Sequence, residues 1–326
     1  MRHSWLCKPA IALTLAFVTL FGAAALAAPA PDVVTRLRFR LDFSEVPVAE
    51  RPAAIERARQ VLAKRLELAK LQAVEVVVCG DSVRATVPGA AAEKIAEVQR
   101  LVGTRGTPLP GDALPAPIAL LAKDKPVPML AAPTTVILVR HGEAYGNLPD
   151  AAKYKPEQLD SLSEKGIAQA KAAAATFAGK KIAALIYSPA GRATQTAKII
   201  QEQVHTAAFK EAKDLGSLRD GKTPEGKPST FSWRMGKWKL AEDPTPEGGE
   251  SLGDAAARAV AEIEAAAAAN PGGTIIAVSH SEICAAIIAY AVGTPMWQAY
   301  ATHHLGNAEQ FTLTISKTRS LTIQKK

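Results

Sequence analysis

Three cysteines in 326 residues are too few for a disulfide framework or a zinc cluster. Cys7 falls in an apolar leader, and Cys79 and Cys284 sit in the runs Val76-Val77-Val78-Cys79 and Ile283-Cys284-Ala285, where a free thiol packs as a small hydrophobe. A Cys79–Cys284 bridge stays open as the alternative. Aromatic residues are only 5%, which disfavours a stacking platform for single-stranded nucleic acid. The formal charge of +8 is spread over both halves of the chain with no basic run or stripe, so nothing marks a nucleic-acid partner. Neither a Cys-x-x-Cys nor a His-Glu-x-x-His spacing is present, and no Gly-x-x-x-x-Gly-Lys-Ser/Thr loop, so metal sites of those kinds and an ATP-binding kinase lack support. What is there is a globular composition, 48% hydrophobic and 21% charged, enough to bury at least one sizeable core.

Arg2 and Lys8 precede an apolar run from Ile11 to Ala28, with small residues at Ala25-Leu26-Ala27. This pattern reads as an export signal over residues 1–27, which leaves a periplasmic or secreted protein with no stable membrane span after cleavage. An uncleaved anchor is the alternative, since about 18 apolar residues can just cross a bilayer.

Residues 33–105 read as a small α+β accessory domain. Leu37, Phe39, Leu41 and Phe43 alternate with Arg36, Arg38, Arg40 and Asp42, the pattern of a strand with one face on a core and one in water. A helix follows with Ile55, Ala58, Val61, Leu62, Leu66 and Ala69 on one side. Residues 74–79 and 83–87 flank Gly80-Asp81 as a hairpin, and a second helix is expected over 90–101. A helix ending in an Arg/Leu-rich stretch, a hairpin and then Val87-Pro88-Gly89 resembles the periplasmic head of the bacterial preprotein translocase subunit SecD; an unrelated ferredoxin-like accessory domain is the alternative. Either reading leaves room for a protein partner of this unit. Residues 106–133 read as a Pro-rich linker, because Pro108, Pro110, Pro115, Pro117, Pro126, Pro128 and Pro133 oppose both helix and central strand.

From Thr134 onward strands and helices alternate. Apolar runs at 135–139, 183–187 and 274–278 are each followed by a helical stretch, the signature of a parallel sheet covered on both faces. Ligands in such sheets bind at the carboxyl ends of the strands. The first run ends in Arg140-His141-Gly142-Glu143 and the third in Ser279-His280. The second ends in Ser188-Pro189, suited to an N-cap and first helical position, which puts Arg192 in the first turn of the next helix. Two arginines and two histidines thus converge on one rim, a set no packed core calls for.

Those residues, with Asn147, Leu162-Ser163-Glu164-Lys165-Gly166, Gln169-Ala170, Ala193-Thr194-Gln195-Thr196-Ala197, and Gly248, Glu250 and Ser251, resemble the histidine phosphatase superfamily over about 134–315. Ser281, where the acid-phosphatase branch has aspartate after its second histidine, indicates the phosphoglycerate-mutase-like branch. The resemblance implies an α/β three-layer fold, a parallel-type sheet with helices on both faces, for a domain spanning 134–326. It implies catalysis without metal or other cofactor, with His141 as nucleophile, His280 on the far side of the phosphoryl group, and Arg140, Asn147 and Arg192 binding phosphate. The family's general acid follows a leucine ahead of the Gly-Glu-Ser block; here Leu218-Arg219-Asp220 makes Asp220 the candidate and Glu225 the alternative.

The chemistry accounts for these residue types. A neutral imidazole can attack a phosphate dianion if guanidinium groups hold the equatorial oxygens, and a nearby acid protonates the leaving oxygen. Glu143 fits a turn partner as well as a substrate contact. His205, His303 and His304 read as capping or surface residues, and Trp233 and Trp238 as loop packing. The expected function is hydrolysis of a small phosphorylated substrate by an exported phosphomonoesterase. Mutase-type phosphoryl transfer and a non-catalytic phosphate-binding module are the alternatives.

Overall fold

A run of apolar residues along a strand makes sense only if both faces of the sheet are covered, because successive side chains point to opposite sides. The computed structural model, which describes residues 33–41, 46–68, 75–79, 82–88, 118–123 and 127–323, shows that arrangement. Strands β6 (Thr134–Arg140), β7 (Ala184–Tyr187), β8 (Phe209–Glu211), β9 (Thr274–Ser279), β10 (Gln310–Ile315) and β11 (Leu321–Ile323) form one sheet in the order β11-β10-β6-β9-β7-β8. Val136, Leu138, Ala184, Ile186, Ile275 and Ala277 pack on one face against two helices, Leu252–Ala269 and Ser281–Val292. Ile137, Val139, Leu185, Ile276 and Val278 pack on the other against Glu164–Ala175 and Gly191–Val204. The free thiol of Cys284 lies fully buried in the first of these cores.

The fold is α/β, a mixed sheet flanked by helices. β6, β9, β7 and β8 run parallel, while β10 is antiparallel to β6 and β11 antiparallel to β10. The parallel-type sheet expected from the sequence therefore carries one reversed strand, β10, through which β11 is added at the edge by antiparallel pairing. Only five residues, 316–320, join β10 to β11, too few for a parallel crossover, which needs a dozen or more.

Residues 33–88 form the expected strand, helix and hairpin: β1 (Val33–Leu41), α1 (Arg51–Leu68), β2 (Glu75–Cys79) and β3 (Ser82–Pro88). Cys79 pairs with Ser82 across the two intervening residues, as a tight hairpin requires. Leu37 and Phe39 of β1 are buried, as are Ile55, Ala58, Leu62 and Leu66 of α1, which lies against β2 and β3. The leader 1–27 and the helix expected over 90–101 lie outside the described residues.

Two expectations are corrected. The proposed linker 106–133 contains β4 (Ile118–Lys123) and β5 (Val127–Pro128), both antiparallel to β1. Its prolines frame rather than interrupt Ile118–Lys123, and six proline-free residues are enough for a strand beside β1. Arg36 of β1, expected to face water, is instead covered by the larger domain. Arg36 makes a 2.6 Å ion pair with Glu264, and Arg84 of β3 donates to the Tyr290 hydroxyl at 2.5 Å with its guanidinium 5.0 Å from that ring. Period-two patterning separates the two faces of a strand but cannot say what covers the polar one.

Removing one partner of a buried pair leaves an uncompensated charge. Glu264→Ala should lower stability by about 3 kcal/mol, and the pair Arg36→Met with Glu264→Leu should recover most of that loss. Denaturant midpoints of Glu264→Ala, of Arg36→Met alone and of the double variant check it; additive losses would mean that Arg36 and Glu264 are not coupled.

Candidate active site

The parallel register sets the site. Arg140 lies opposite Ser279 and Tyr187 opposite Val278, so β6, β9 and β7 end side by side. The residues that follow these ends remain tied together, His141 N–H donating to Ser279 O and Ser188 N–H to Val278 O, each at 3.0 Å. We label the helices of this domain α2 (Pro156–Leu159), α3 (Glu164–Ala175), α4 (Gly191–Val204), α5 (Phe231–Lys239), α6 (Leu252–Ala269), α7 (Ser281–Val292) and α8 (Met296–His303). Arg192 enters from the first turn of α4.

His141 Nδ1 lies 2.6 Å from the carbonyl of Gly142, which assigns the ring proton to Nδ1. Its Nε2 lone pair is left to face Arg192, whose Nε–H donates to it at 3.1 Å. Arg192 Nη2 also donates to His280 Nδ1 at 3.1 Å, so the His280 proton belongs on Nε2, from which it is given to Ser188 Oγ at 2.7 Å. The two rings meet edge to face with centroids 5.2 Å apart. Arg192 completes its donor set on Ser217 Oγ at 2.9 Å and on Asp160, whose second oxygen accepts from Gly191 N–H at 2.6 Å. Arg140 is anchored by Nη1 to the carbonyl of Leu305 at 2.8 Å.

Both imidazoles are held neutral. Burial, followed by the positive charges of Arg192 and Arg140, pushes His141 down to about 4, against an opposing hydrogen bond to the Gly142 carbonyl. Burial and then Arg192 push His280 well below its ordinary value.

The loops that carry these groups are closely fitted. A Cβ on Gly142 would lie 2.5 Å from Gly166 O, and one on Gly166 would lie 2.0 Å from Glu143 O, so the two backbones touch where no side chain fits. Glu143 proves to be a turn partner: its carboxylate accepts from Ser163 Oγ and Lys165 Nζ, both at 2.9 Å. Gln169 and Thr196 take the backbone N–H groups of Glu143 and Gly142. On the other side, buried Glu250 accepts from Arg258 at 2.6 and 2.9 Å and from Arg219 N–H at 2.8 Å. Arg258 in turn donates to the carbonyls of Asp214, Gly216 and Ser217, and Arg234 to those of Arg219 and Glu250. These bonds fix the segment from Asp214 to Arg219.

The structure thus brings His141, His280 and Arg192 into direct contact, with Arg140 close enough to act on both rings. Asn147 is exposed on a short turn, where its Oδ1 accepts from Ala144 N–H at 3.4 Å. Asp220 is exposed at the end of the segment held by Arg234 and Glu250, and Glu225 is exposed on the turn beyond it. His205 caps α4 in the left-handed conformation, and His303 and His304 bond to Thr294 and the Tyr300 carbonyl, matching the capping and surface readings. Ser188 is corrected: Ala190 is the N-cap of α4, and Ser188 instead orients His280. Asp160 and Ser217 were missed. The acidic residue just ahead of Leu162-Ser163 was the available signal for Asp160; a loop serine such as Ser217 carries none. Among the described residues no three His, Cys, Asp or Glu side chains converge as a metal-binding group.

Protons that bind the unfolded histidines more readily than the folded ones oppose folding. With His141 near 4 when folded and about 6.5 when unfolded, stability should fall as pH drops from about 6.5 toward 4. The unfolding free energy measured at pH 7 and pH 5 should differ, and His141→Gln should reduce that difference. No change between the two pH values would contradict a buried neutral pair.

Comparison with known proteins agrees with this geometry. The family model for the histidine phosphatase superfamily, branch 1, matches residues 136–323. An uncharacterized protein of Mycobacterium tuberculosis is 32% identical over 169 residues, covering 50% of this chain and 81% of that protein. A probable phosphoglycerate mutase of Yersinia pestis is 29% identical over 165 residues, covering 49% and 75%. Among solved structures, a mycobacterial glucosyl-3-phosphoglycerate phosphatase is similar at 24% identity and a TM-score of 0.46 over 58% of this chain and 96% of its own. The match to residues 136–323, containing the whole His141–Arg192–His280 cluster, means that this chain belongs to branch 1 of the histidine phosphatase superfamily.

Proposed function

We propose that the protein is a phosphomonoesterase that works through a phosphohistidine on His141, with no metal or other cofactor, and that the leader sends it to the periplasm or outside the cell. The observation that carries the reading is the His141 ring itself: its proton is held on Nδ1 by the Gly142 carbonyl, and its Nε2 lone pair meets a guanidinium. An arriving phosphate dianion supplies its oxygens to Arg192 in place of the imidazole nitrogens, and Arg140 neutralises it further. Nε2, freed and unprotonated, attacks phosphorus while the ester oxygen leaves. The resulting phosphohistidine is then hydrolysed by water to inorganic phosphate and neutral His141.

His280, with its Nε2 proton donated to Ser188, presents Nδ1 toward Arg192 and keeps it from turning away. Asp220 is the acid in this reading, giving its proton to the leaving oxygen and taking one back from the attacking water. Asn147 would extend the phosphate contacts from its turn. Substrate selectivity falls to residues 144–160 and 219–250, which border the cluster through Asp160 and Ser217–Arg219.

Similarity to a probable phosphoglycerate mutase favours a second reading, in which the phosphoryl group returns to a phosphoglycerate rather than passing to water. Product analysis separates the two: release of inorganic phosphate supports the hydrolase, and isomerised phosphoglycerate supports the mutase.

The wild-type chain should hydrolyse an aryl phosphate in the presence of a chelator, and His141→Ala should lower kcat at least a thousandfold, on the order of what removing a nucleophile costs. Equal rates in both proteins would sink the reading. Asp220→Asn should slow alkyl phosphates by roughly a hundredfold or more and aryl phosphates far less, because only the poor leaving group needs a proton. An equal effect on both would remove Asp220 from the acid's role.

A further inference from the structure

Arg192 holds its partners on two different edges. A guanidinium is planar, with Nε–H and one Nη2–H side by side on one edge, and here these nitrogens meet His141 Nε2 and His280 Nδ1, both at 3.1 Å. The remaining contacts are made at the outer end, Nη2 to Ser217 Oγ at 2.9 Å and Nη1 to the Asp160 carboxylate. The edge with Nε and Nη2 is a fork that suits two oxygens of a phosphate. A phosphoryl group arriving at the imidazoles therefore displaces two of the bonds that fix Arg192, and the outer end has to hold the side chain while its inner edge is exchanged.

Asp160 is braced for that task. An exposed ion pair ordinarily contributes little, because both side chains can wander. The Asp160 side chain is 51% exposed, yet its position is set by several contacts. Its second oxygen accepts from Gly191 N–H at 2.6 Å, and a Cβ on Gly191 would lie 2.6 Å from the Asp160 carbonyl oxygen, so this backbone rests directly on the first turn of α4. Beside it, Leu162 N–H donates to Gln195 Oε1 at 2.9 Å, and Ser161 O accepts from Tyr145 N–H at 3.0 Å. The carboxylate is thus fixed both to the helix that carries Arg192 and to the turn that follows His141.

We infer that Asp160 is a positioning residue for phosphate: it keeps the Nε–Nη2 fork of Arg192 aimed at the space beside His141 and His280 when a phosphoryl group takes the place of the imidazole bonds. The inference rests on the reading that this cluster receives a phosphoryl group, and not on what becomes of that group afterwards. A carboxylate that only stood nearby would repel a dianion, and its removal would tighten binding. A tether acts in the opposite direction, because a released arginine has to be ordered again whenever phosphate binds, a loss of about threefold to tenfold. Turnover suffers more, since a misplaced donor no longer meets the charge that builds on the transferring group.

Two readouts on the full chain test this: calorimetric titration with inorganic phosphate at about 0.5 M salt, where simple repulsion is largely screened, and hydrolysis of an aryl phosphate. Asp160→Ala should weaken phosphate binding about threefold to tenfold, raise KM, and lower kcat by roughly tenfold to a hundredfold. Combined with Arg192→Ala, it should do no further damage, because a residue that acts through Arg192 then has nothing left to position. Asp160→Asn, equal in shape but with one acceptor oxygen for two donors, should move both readouts the same way and less far; it carries the test if Asp160→Ala proves unstable. Tighter or unchanged phosphate binding in these variants, a lower KM with kcat unchanged, or additive losses with Arg192→Ala would overturn the proposal. A wild-type chain that binds phosphate without hydrolysing the ester removes the hydrolase alone, and the phosphate titrations still decide Asp160; one that binds no phosphate overturns both.

Discussion

One guanidinium organises the rim of this protein. Arg192 reaches four groups, each from a separate stretch of chain other than its own: His141 after β6, Asp160 before α3, Ser217 in the loop after β8, and His280 after β9. Because the cation donates to both imidazoles, neither ring nitrogen facing it can carry a proton, and the opposite nitrogens must be the donors. The Gly142 carbonyl and Ser188 hydroxyl accept those two protons. Tautomer, ring orientation and depressed basicity are therefore one consequence of where a single side chain sits, and the depth of the strand ends supplies the burial that strengthens it.

The sheet and the side chains clustered at its rim were legible in the sequence because apolar runs of strand length end in residues that a core would not hold. Arg140-His141, Ser279-His280 and Arg192 are of that kind. Ser188 was misread because a serine before a proline fits an N-cap as well as a hydrogen bond to a distant ring, and only the tertiary position of His280 decides between them. Asp160 and Ser217 act through contacts 32 and 25 residues away, which no local pattern encodes. The N-terminal unit teaches the same lesson at larger scale. Its strand, helix and hairpin followed from period and turn chemistry, but the strands at 118–123 and 127–128 pair with β1 across a long separation, and the partner of Arg36 lies 228 residues away.

Positive charge is used internally to an unusual degree. Arg234 is 1% exposed and spends its donors on the carbonyls of Glu250 and Arg219, while Arg258 ties three more carbonyls to the carboxylate of Glu250. A loop that cannot form a ladder still has backbone oxygens to satisfy, and a forked cation satisfies several at once. Arg36 and Arg84 do the corresponding task between units. Much of the basic excess is thus structural mortar, which is why the net charge says little about partners.

The thiol of Cys284 sits in α7 one helical turn beyond His280, fully buried, with burial raising its pKa far above the usual thiol range. A thiol so placed is inert to alkylating reagents and peroxide while α7 stays docked, because reaction requires an exposed thiolate. Its labelling rate then becomes a clock for the opening of the helix that follows His280, so that a chemical modification experiment on one sulfur reads out how often the histidine-bearing end of the sheet comes apart.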